Sequence, residues 1–116
     1  MAKENIIIDK TFEFSLRIID LYKYLTIEKK EYILSKQLLK SATSIGANVE
    51  EATAAQSRKD FLSKMSIASK EARETTYWLR LLIKSDYIID DGILNNSIEI
   101  RKIITSIVKT TSAQKI

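Results

Sequence analysis

The feature that most constrains the fold is a run of small residues, SIGANVEEA, at positions 44–52. It lies inside a segment whose apolar residues recur at intervals of three and four, the spacing of one face of an α-helix. Small side chains let two helix backbones approach closely, and Asn48 falls on the inward side of this predicted helix. A polar group in a contact face favours one partner geometry over others. The run therefore predicts tight helix packing and says little about chemistry.

The composition favours an all-α fold. The 116 residues include no proline and only two glycines, whereas a chain of many short strands would need more turn residues. Hydrophobic residues make up 45% and charged residues 29%, which is typical of a folded helical protein. The length fits one domain over residues 1–116. We therefore predict a single antiparallel up-down-up-down four-helix bundle.

The first two helices are predicted from apolar spacing. The first begins with Asp9 or Thr11 as its cap and extends to about Tyr24, and the second covers about Glu31 to Ala55. In the first helix the residues expected to face inward are Phe12, Leu16, Ile19 and Tyr22 or Lys23. In the second they form two adjacent rows: Leu34, Leu38, Ser41, Ile45, Asn48, Ala52 and Ala55, then Leu39, Ala42, Gly46, Val49 and Thr53.

The last two helices have clearer start signals. Ser57, followed three residues later by Asp60, resembles a capping box and predicts a helix that extends to about Lys84. Asp90 or Asp91 can cap the fourth helix, which frays from residue 110 onward. The inward residues predicted for the fourth helix are Ile93, Ile100, Ile104 and Ile107. In the connection before it, Tyr87, Ile88 and Ile89 are expected to close one end of the bundle.

The third helix carries a row of basic and hydroxyl residues, here called the basic stripe. Its members are Lys59, Ser63, Ser66, Lys70, Arg73, Tyr77, Arg80 and Lys84. Residues 57–85 hold seven Lys and Arg against three Asp and Glu, a surplus of +4 that equals the net charge of the whole chain. A row of cations suits salt-dependent contacts with phosphates, and an aromatic ring among them can stack on an unpaired base. The predicted nucleic-acid-binding residues are Lys59, Lys70, Arg73, Tyr77, Arg80 and Lys84.

Other interpretations of the basic stripe stay open. A surface helix needs a solvated face, and Glu71 and Glu74 on the flank offer ion pairs within the helix. The same charge also suits the acidic surface of a protein partner. For Tyr77 and Trp78, packing in a core or an interface is the commoner role of aromatics at helical spacing.

The small-residue run is assigned to packing or assembly. The residues concerned are Ser44, Ile45, Gly46, Asn48 and Val49. Asn48 can join a network with Ser41 or Ser44, and Gly46 can relieve a crowded crossing; alternatively, both specify the register of helices or subunits. Because the second helix is apolar or small around much of its circumference, we expect a homo-oligomer, and a closed ring satisfies a heterologous patch.

Several classes of chemistry are excluded or disfavoured. The chain has no histidine and no cysteine, so it lacks disulfides, thiolate nucleophiles, imidazole acid–base groups and the usual zinc ligands. Glu50 and Glu51 lie about 100° apart around a helix and do not converge. We predict no enzymatic activity, no metal and no cofactor. The run Ile6–Ile8 is too short for a signal peptide or a membrane span, so we expect a cytoplasmic protein with no membrane partner.

Three segments carry a resemblance to a known family: LLKSATSIGANVEEATAAQSRKDF at 38–61, KEARET at 70–75 and YWLRLL at 77–82. They resemble the four-helix-bundle proteins encoded by 23S ribosomal RNA intervening sequences. The resemblance implies an antiparallel four-helix protomer and a ring-like homopentamer, and it implies no settled activity. A relative of similar fold, the accessory variability protein of diversity-generating retroelements, is described as binding nucleic acid and a reverse transcriptase.

Together these observations predict a non-enzymatic oligomer that binds nucleic acid, with RNA favoured over DNA, through the basic stripe. The alternative is a protein-interaction scaffold without direct nucleic-acid binding, whose stripe docks an acidic partner such as a reverse transcriptase. Both are electrostatic, so salt dependence alone does not separate them. Binding to purified RNA or DNA does.

Overall fold

The structure, a computed structural model, describes residues 3–114, with the backbone alone at residues 3–5. Four helices follow one another: α1 Lys3–Ile27, α2 Leu34–Thr53, α3 Arg58–Lys84 and α4 Ile93–Ala113. α1 and α3 each pack against both α2 and α4. This is the predicted all-α four-helix bundle, measuring 50 × 22 × 20 Å. Residues 1, 2, 115 and 116 of the predicted domain lie outside the described part.

The core is a column of aliphatic side chains with one phenylalanine. Its largest members, all with less than 2% of their surface exposed, are Ile7, Phe14, Ile18, Leu25, Leu38, Ile45, Val49, Met65, Leu79, Leu82, Ile100 and Ile104. The four isoleucines predicted to face inward on α4 are buried, which confirms the assignment of that face. Small residues such as Ala42, Ala68 and Ala72 fill the positions between them and are also fully buried.

The prediction for α1 was wrong at its start and on its inward face. The helix begins at Lys3, so Asp9 and Thr11 are interior residues, and Thr11 Oγ1 donates to the carbonyl oxygen of Ile7 at 2.7 Å. Phe12 and Leu16 are 61% and 45% exposed. The row that enters the core instead is Ile7, Thr11, Phe14, Ile18 and Leu25. α1 has two apolar rows, and periodicity alone does not say which of them a single protomer buries.

α2 is shorter at both ends than the predicted span. It begins at Leu34 because Glu31 acts as its cap: the carboxylate accepts from the backbone N–H groups of Ile33, Leu34 and Ser35 at 3.0, 2.8 and 2.7 Å. Burial alone raises the pKa of Glu31, but these three backbone hydrogen bonds outweigh it, and the pKa lies below its ordinary value. A buried carboxylate is therefore held charged at the start of the helix, where the dipole also favours it.

Both ends of α3 follow local hydrogen-bonding rules. At the start, Ser57 Oγ accepts from the N–H of Asp60 at 3.0 Å, as predicted, while the Asp60 carboxylate accepts from the N–H of Gln56 at 3.4 Å. At the end, Asp86 adopts a left-handed conformation with φ 65°, and the N–H of Tyr87 bonds the carbonyl oxygen of Leu82 at 3.0 Å. This six-residue closure is a Schellman motif and ends the helix.

The connection to α4 agrees with the prediction in part. Ile88 is buried and closes this end of the bundle, whereas Ile89 is 90% exposed. Asp90 Oδ1 accepts from the N–H of Gly92 at 3.1 Å and approaches that of Leu94 at 3.5 Å, so Asp90 supports the start of α4. Gly92 itself has φ 105°, a conformation that side chains with a Cβ rarely adopt.

Two buried hydroxyl pairs set the register between helices. Thr75 Oγ1 lies 2.9 Å from Ser41 Oγ on α2, and Thr76 Oγ1 lies 2.9 Å from Ser97 Oγ on α4. These neighbouring threonines therefore tie α3 to α2 on one side and to α4 on the other. A shift of either neighbour along its axis would break one of these interhelical hydrogen bonds and is therefore disfavoured.

Candidate nucleic-acid interface

The basic stripe lies on the outer surface of α3. Lys59, Ser63, Lys70, Arg73, Tyr77, Arg80 and Lys84 are exposed and Ser66 is half-buried. The opposite side of the helix places Met65, Ala68, Ala72 and Leu79 in the core. Core packing on that side holds the helix in one rotational orientation, so all six predicted binding residues face away from the core of the protomer.

The cations of the basic stripe have no carboxylate partner among the described side chains. The three ion pairs within 4.0 Å join Lys10 to Glu99, Arg17 to Asp91 and Lys64 to Glu51. Glu71 and Glu74, on the flank of the stripe, form no ion pair with its cations. Glu74 instead accepts a hydrogen bond from Trp78 Nε1 at 3.1 Å. The charge of the stripe thus stays available to an external anion.

The carboxyl group of Glu71 on the flank of the stripe has a raised pKa. Its partial burial raises its pKa, and the neighbouring Glu74 raises it further, while Lys70 and Lys40 act in the opposite direction. A raised pKa means that this carboxyl takes up a proton at a higher pH than an isolated one. As the solution is acidified, the flank of the basic stripe loses negative charge early, which favours anion binding.

The two aromatic residues have different surroundings. Their rings are 5.1 Å apart between centroids and inclined at 71°, an edge-to-face contact. Trp78 is half-buried, packs against the core and donates its ring N–H to Glu74. Tyr77 is 52% exposed and stands among the cations. Trp78 therefore has the packing role that is common for aromatic residues at helical spacing. Tyr77 keeps an exposed ring surface on which a base can stack.

The structure adds cations that the sequence analysis missed. A groove of about 510 Å³ runs between α3 and α4 and is lined by Arg73, Arg101, Lys102, Thr105, Ser106 and Lys109. Arg73 is the member that belongs to the basic stripe. Three further cations come from α4, and none of the four has an ion-pair partner among the described side chains. The sequence does contain a pattern that could have predicted them, because Arg101, Lys102 and Lys109 share one side of α4.

The antiparallel register brings these two sets of residues together. Thr76 of α3 meets Ser97 of α4, and near the other end Arg58 Nη1 donates to Gln114 Oε1. Residues of α3 before Thr76 therefore lie beside residues of α4 after Ser97. The spacing of residues along one helix does not predict that these cations are neighbours, because Arg73 and Arg101 are far apart in the chain.

The residues of the small-residue run differ in how deeply they are buried. Ile45 and Val49 are core residues, with 0% and 1% of their surfaces exposed. Asn48 is half-buried, and its Nδ2 donates to the carbonyl oxygen of Ser44 at 2.9 Å, one turn earlier on its own helix. Within the protomer Asn48 thus makes a local contact and joins no network with Ser41.

Gly46 lines a cleft between α1 and α2. The cleft measures about 210 Å³ and is bordered by Ile8, Thr11, Phe12, Ser15, Thr43, Gly46, Ala47 and Glu50. A Cβ built on Gly46 would meet atoms of Thr11 at 3.5 Å, an ordinary van der Waals distance. The crossing of α1 and α2 inside one protomer therefore does not require glycine at this position.

Metal-ligand clusters and membrane-spanning helices can be looked for among the described residues. Among residues 3–114, no group of three or more Asp, Glu, His or Cys side chains is arranged to hold a metal ion. Glu50 and Glu51 are exposed, and Glu51 pairs with Lys64 at 2.9 Å. No described helix is both long enough and apolar enough to span a membrane.

The fold and this surface define a helical-bundle protein with a cationic face built from two adjacent helices. The sequence profile of the 23S rRNA-intervening sequence protein family matches residues 3–109, and the chain belongs to that family. Among solved structures, a protein of unknown function from the S23 ribosomal protein family of Bacteroides thetaiotaomicron VPI-5482 is similar. It is 53% identical, with a TM-score of 0.90, and the match covers 93% of this chain and 99% of that one. A search of curated proteins finds no match.

Proposed function

We propose that this protein is a non-enzymatic oligomer that binds nucleic acid, with RNA favoured, through the basic stripe on α3. The observation that carries the proposal is the exposed, unpaired row of cations, which α4 extends across the neighbouring groove. Each Lys or Arg that neutralises a phosphate releases a counterion and adds affinity without reading sequence. We place this activity in the cytoplasm.

The proposal includes self-association, for which the exposed apolar side of α1 is the main support. Phe12, Leu16 and Ile27 are 61%, 45% and 62% exposed, and half-buried Ile19 lies in the same row. A helix that is apolar on two sides is normally buried on both. We propose that a neighbouring copy covers this row and that five copies close a ring, as the family resemblance implies. Five stripes in one particle would bind RNA with avidity when the geometry allows several contacts at once.

The competing function is a scaffold that docks an acidic protein, such as a reverse transcriptase. The same cations would serve it, but it predicts no affinity for purified nucleic acid. Tyr77 favours RNA, because an exposed ring between cations suits a base more directly than it suits a carboxylate surface.

The test is a fluorescence-anisotropy titration of the purified oligomer with structured RNA, single-stranded RNA and duplex DNA, at low and physiological salt. It compares the wild type with a variant in which Lys70, Arg73 and Arg80 are changed to Glu. A matched control changes Lys29, Lys30 and Lys36 to Glu, because these exposed residues lie outside the stripe and the groove. Mass and helicity of all three proteins are checked first.

We expect the wild type and the control to bind RNA with steep salt dependence, and the stripe variant to lose binding. Equal binding by the stripe variant would reject the stripe as the site. An absence of binding by the wild type at low salt would reject the nucleic-acid function and favour the scaffold.

A further inference from the structure

The groove between α3 and α4 has the chemistry of a site for a chain of phosphates. Its six lining residues are four cations and two hydroxyl residues, with no carboxylate among them. Five of the six lining residues stand on the α4 wall, among them Arg101, Lys102 and Lys109, and α3 contributes Arg73. The basic stripe alone would meet a polyanion from one helix, whereas at this groove cations of two helices can contact the same ligand.

We propose that this groove holds the phosphodiester backbone of one unpaired RNA strand and that the α4 cations are part of the binding site. The inference rests on the proposed nucleic-acid function and deepens it. It places the centre of the binding site in the groove, beside the basic stripe on α3. It also names the ligand as a single strand rather than a duplex.

The dimensions of the groove fit a short stretch of one strand. From Arg101 to Lys109 the α4 wall advances eight residues, or about 12 Å at a rise of about 1.5 Å per residue. One nucleic-acid strand in a duplex advances about 3.4 Å per phosphate, and an unpaired strand can be more extended, so this wall spans at most about four phosphates. Thr105 and Ser106 stand between the cations along α4 and bring hydroxyl groups to the same lining.

Tyr77 supports the choice of an unpaired strand. It follows Arg73 by four residues, so it stands one helical turn, about 6 Å, further along the same side of α3. A phosphate held at Arg73 would leave a neighbouring base within reach of the exposed ring. Bases in a duplex are stacked on each other and cannot use this ring, whereas an unpaired base can.

The four groove cations set the expected salt dependence. For single strands, log K falls against log salt concentration with a slope of about −0.7 for each neutralised phosphate. Four contacts therefore contribute a slope of about −3, and removal of the three α4 cations should make the slope shallower by about 2. The change in slope reports how many phosphate contacts the variant has lost.

The experiment measures anisotropy of a labelled 12-nucleotide oligouridylate and of a 12-base-pair RNA duplex over a series of salt concentrations. The first variant carries Arg101→Gln, Lys102→Gln and Lys109→Gln. The matched control carries Lys29→Gln, Lys30→Gln and Lys36→Gln and loses the same charge. Because Arg101 is half-buried, a second variant carries only Lys102→Gln and Lys109→Gln, both at exposed positions. Circular dichroism and mass confirm that each protein is folded and assembled.

We expect the triple groove variant to bind oligouridylate at least tenfold more weakly than the wild type at low salt, with the shallower slope, and the double variant to fall between them. The control should stay within about threefold of the wild type. The wild type should prefer oligouridylate to the duplex.

Three results would overturn the inference. If the groove variants bind like the control while the α3 stripe variant loses RNA, the groove is rejected and the proposed function stands. If the duplex binds as tightly as the single strand, the assignment to unpaired RNA is wrong. If the wild type binds neither oligouridylate nor the duplex at low salt, both the groove assignment and the proposed function fail.

Discussion

The two long sides of this bundle present opposite chemistry to their surroundings. Of the ten large hydrophobic side chains exposed among the described residues, seven lie between positions 6 and 33, in α1 and the connection to α2. The α3–α4 side instead exposes cations from both helices. Burial of apolar surface away from water lowers the free energy, and contact between a cation and an anion also lowers it. One side is therefore suited to another protein surface and the other to a polyanion.

If the proposed function holds, assembly and ligand binding occupy different sides of this chain of 116 residues. The small-residue run borders the apolar side, through Gly46 in the cleft next to Phe12. The basic stripe occupies α3, whose buried threonines join the two sides. Changes on one side should leave the property of the other side intact, apart from the avidity that assembly supplies.

The largest expected effect comes from charge on the apolar side. The double change Phe12→Glu and Leu16→Glu should convert the oligomer into protomers of 13.3 kDa, because carboxylates cannot be buried unpaired in an apolar contact. Multi-angle light scattering after size-exclusion chromatography measures the mass. Ile89→Glu is the control, since Ile89 is 90% exposed and lies outside α1. A double variant with the wild-type mass would show that this row is no interface.

The next effect concerns the junction between the two sides. Thr75→Val should lower the free energy of unfolding by about 1 kcal/mol, because the interhelical bond to Ser41 is lost while Ser41 Oγ keeps its bond to the carbonyl oxygen of Leu38. The combined change Ser41→Ala and Thr75→Val should cost less than the sum of the single changes. Urea unfolding at fixed protein concentration measures both.

The control for the threonine junction is Thr53→Val, an exposed position where the hydroxyl bonds only its own helix. It should stay within about 0.5 kcal/mol of the wild type. Strict additivity of Ser41→Ala and Thr75→Val would argue against coupling between the two hydroxyls.

A smaller effect tests the cationic side. Tyr77→Ala should weaken binding of unpaired RNA by about fivefold or more, since stacking on an aromatic ring contributes about 1–3 kcal/mol per base. Tyr77→Phe keeps the ring and should bind like the wild type. Duplex RNA should respond to neither change. Anisotropy at one salt concentration is sufficient, and equal losses for Ala and Phe would point to the hydroxyl group instead of the ring.

The cap of α2 predicts a pH effect. The pKa of Glu31 is lower in the folded chain than its ordinary value of 4.5. Its contribution to stability is therefore complete at pH values above that ordinary value and is lost as the pH falls through the lowered pKa. Glu31→Gln should cost about 1 kcal/mol at pH 7. The wild type and the variant should converge in stability as the pH falls through the lowered pKa of Glu31.

Thermal unfolding between pH 3 and 7 measures the Glu31 effect. Glu28→Gln is the control, because Glu28 is exposed. A constant difference between wild type and Glu31→Gln over this pH range would contradict the assignment of the cap.

The smallest effect distinguishes packing within the protomer from packing between subunits. Gly46→Ala should stabilise an isolated protomer by up to about 1 kcal/mol, because alanine favours the helix and its Cβ finds ordinary contacts. If a neighbouring subunit approaches the backbone at Gly46, the same change should weaken the oligomer. Dilution series that follow mass, together with unfolding of the Phe12→Glu/Leu16→Glu protein with and without Gly46→Ala, separate these two effects.

Much of the architecture could be predicted from residue spacing and caps. The start of α3 at Ser57 and the buried row of α4 follow local rules, since a serine oxygen satisfies free N–H groups and a row of isoleucines needs a partner surface. α1 could not be assigned in the same way. Both of its rows are apolar, and only the positions of α2 and α4 select the one that is buried.

The candidate site could be predicted in part for a related reason. The stripe on α3 is visible in the sequence because its members recur on one helix, but its partners on α4 are distant in the chain. Arg101 and Lys102 join Arg73 only through the antiparallel register that Thr76 and Ser97 set.

The sequence by itself determined the helical class, the family, the basic stripe and the small-residue run, because these depend on composition and on spacing along one helix. The tertiary structure alone decided which row of α1 faces outward, that Gly46 borders a cleft and that cations of two helices share one groove. The physical reason is that the burial of a side chain, and the charges that lie near it, depend on the distances between helices. Those distances are set by the packing of the whole core.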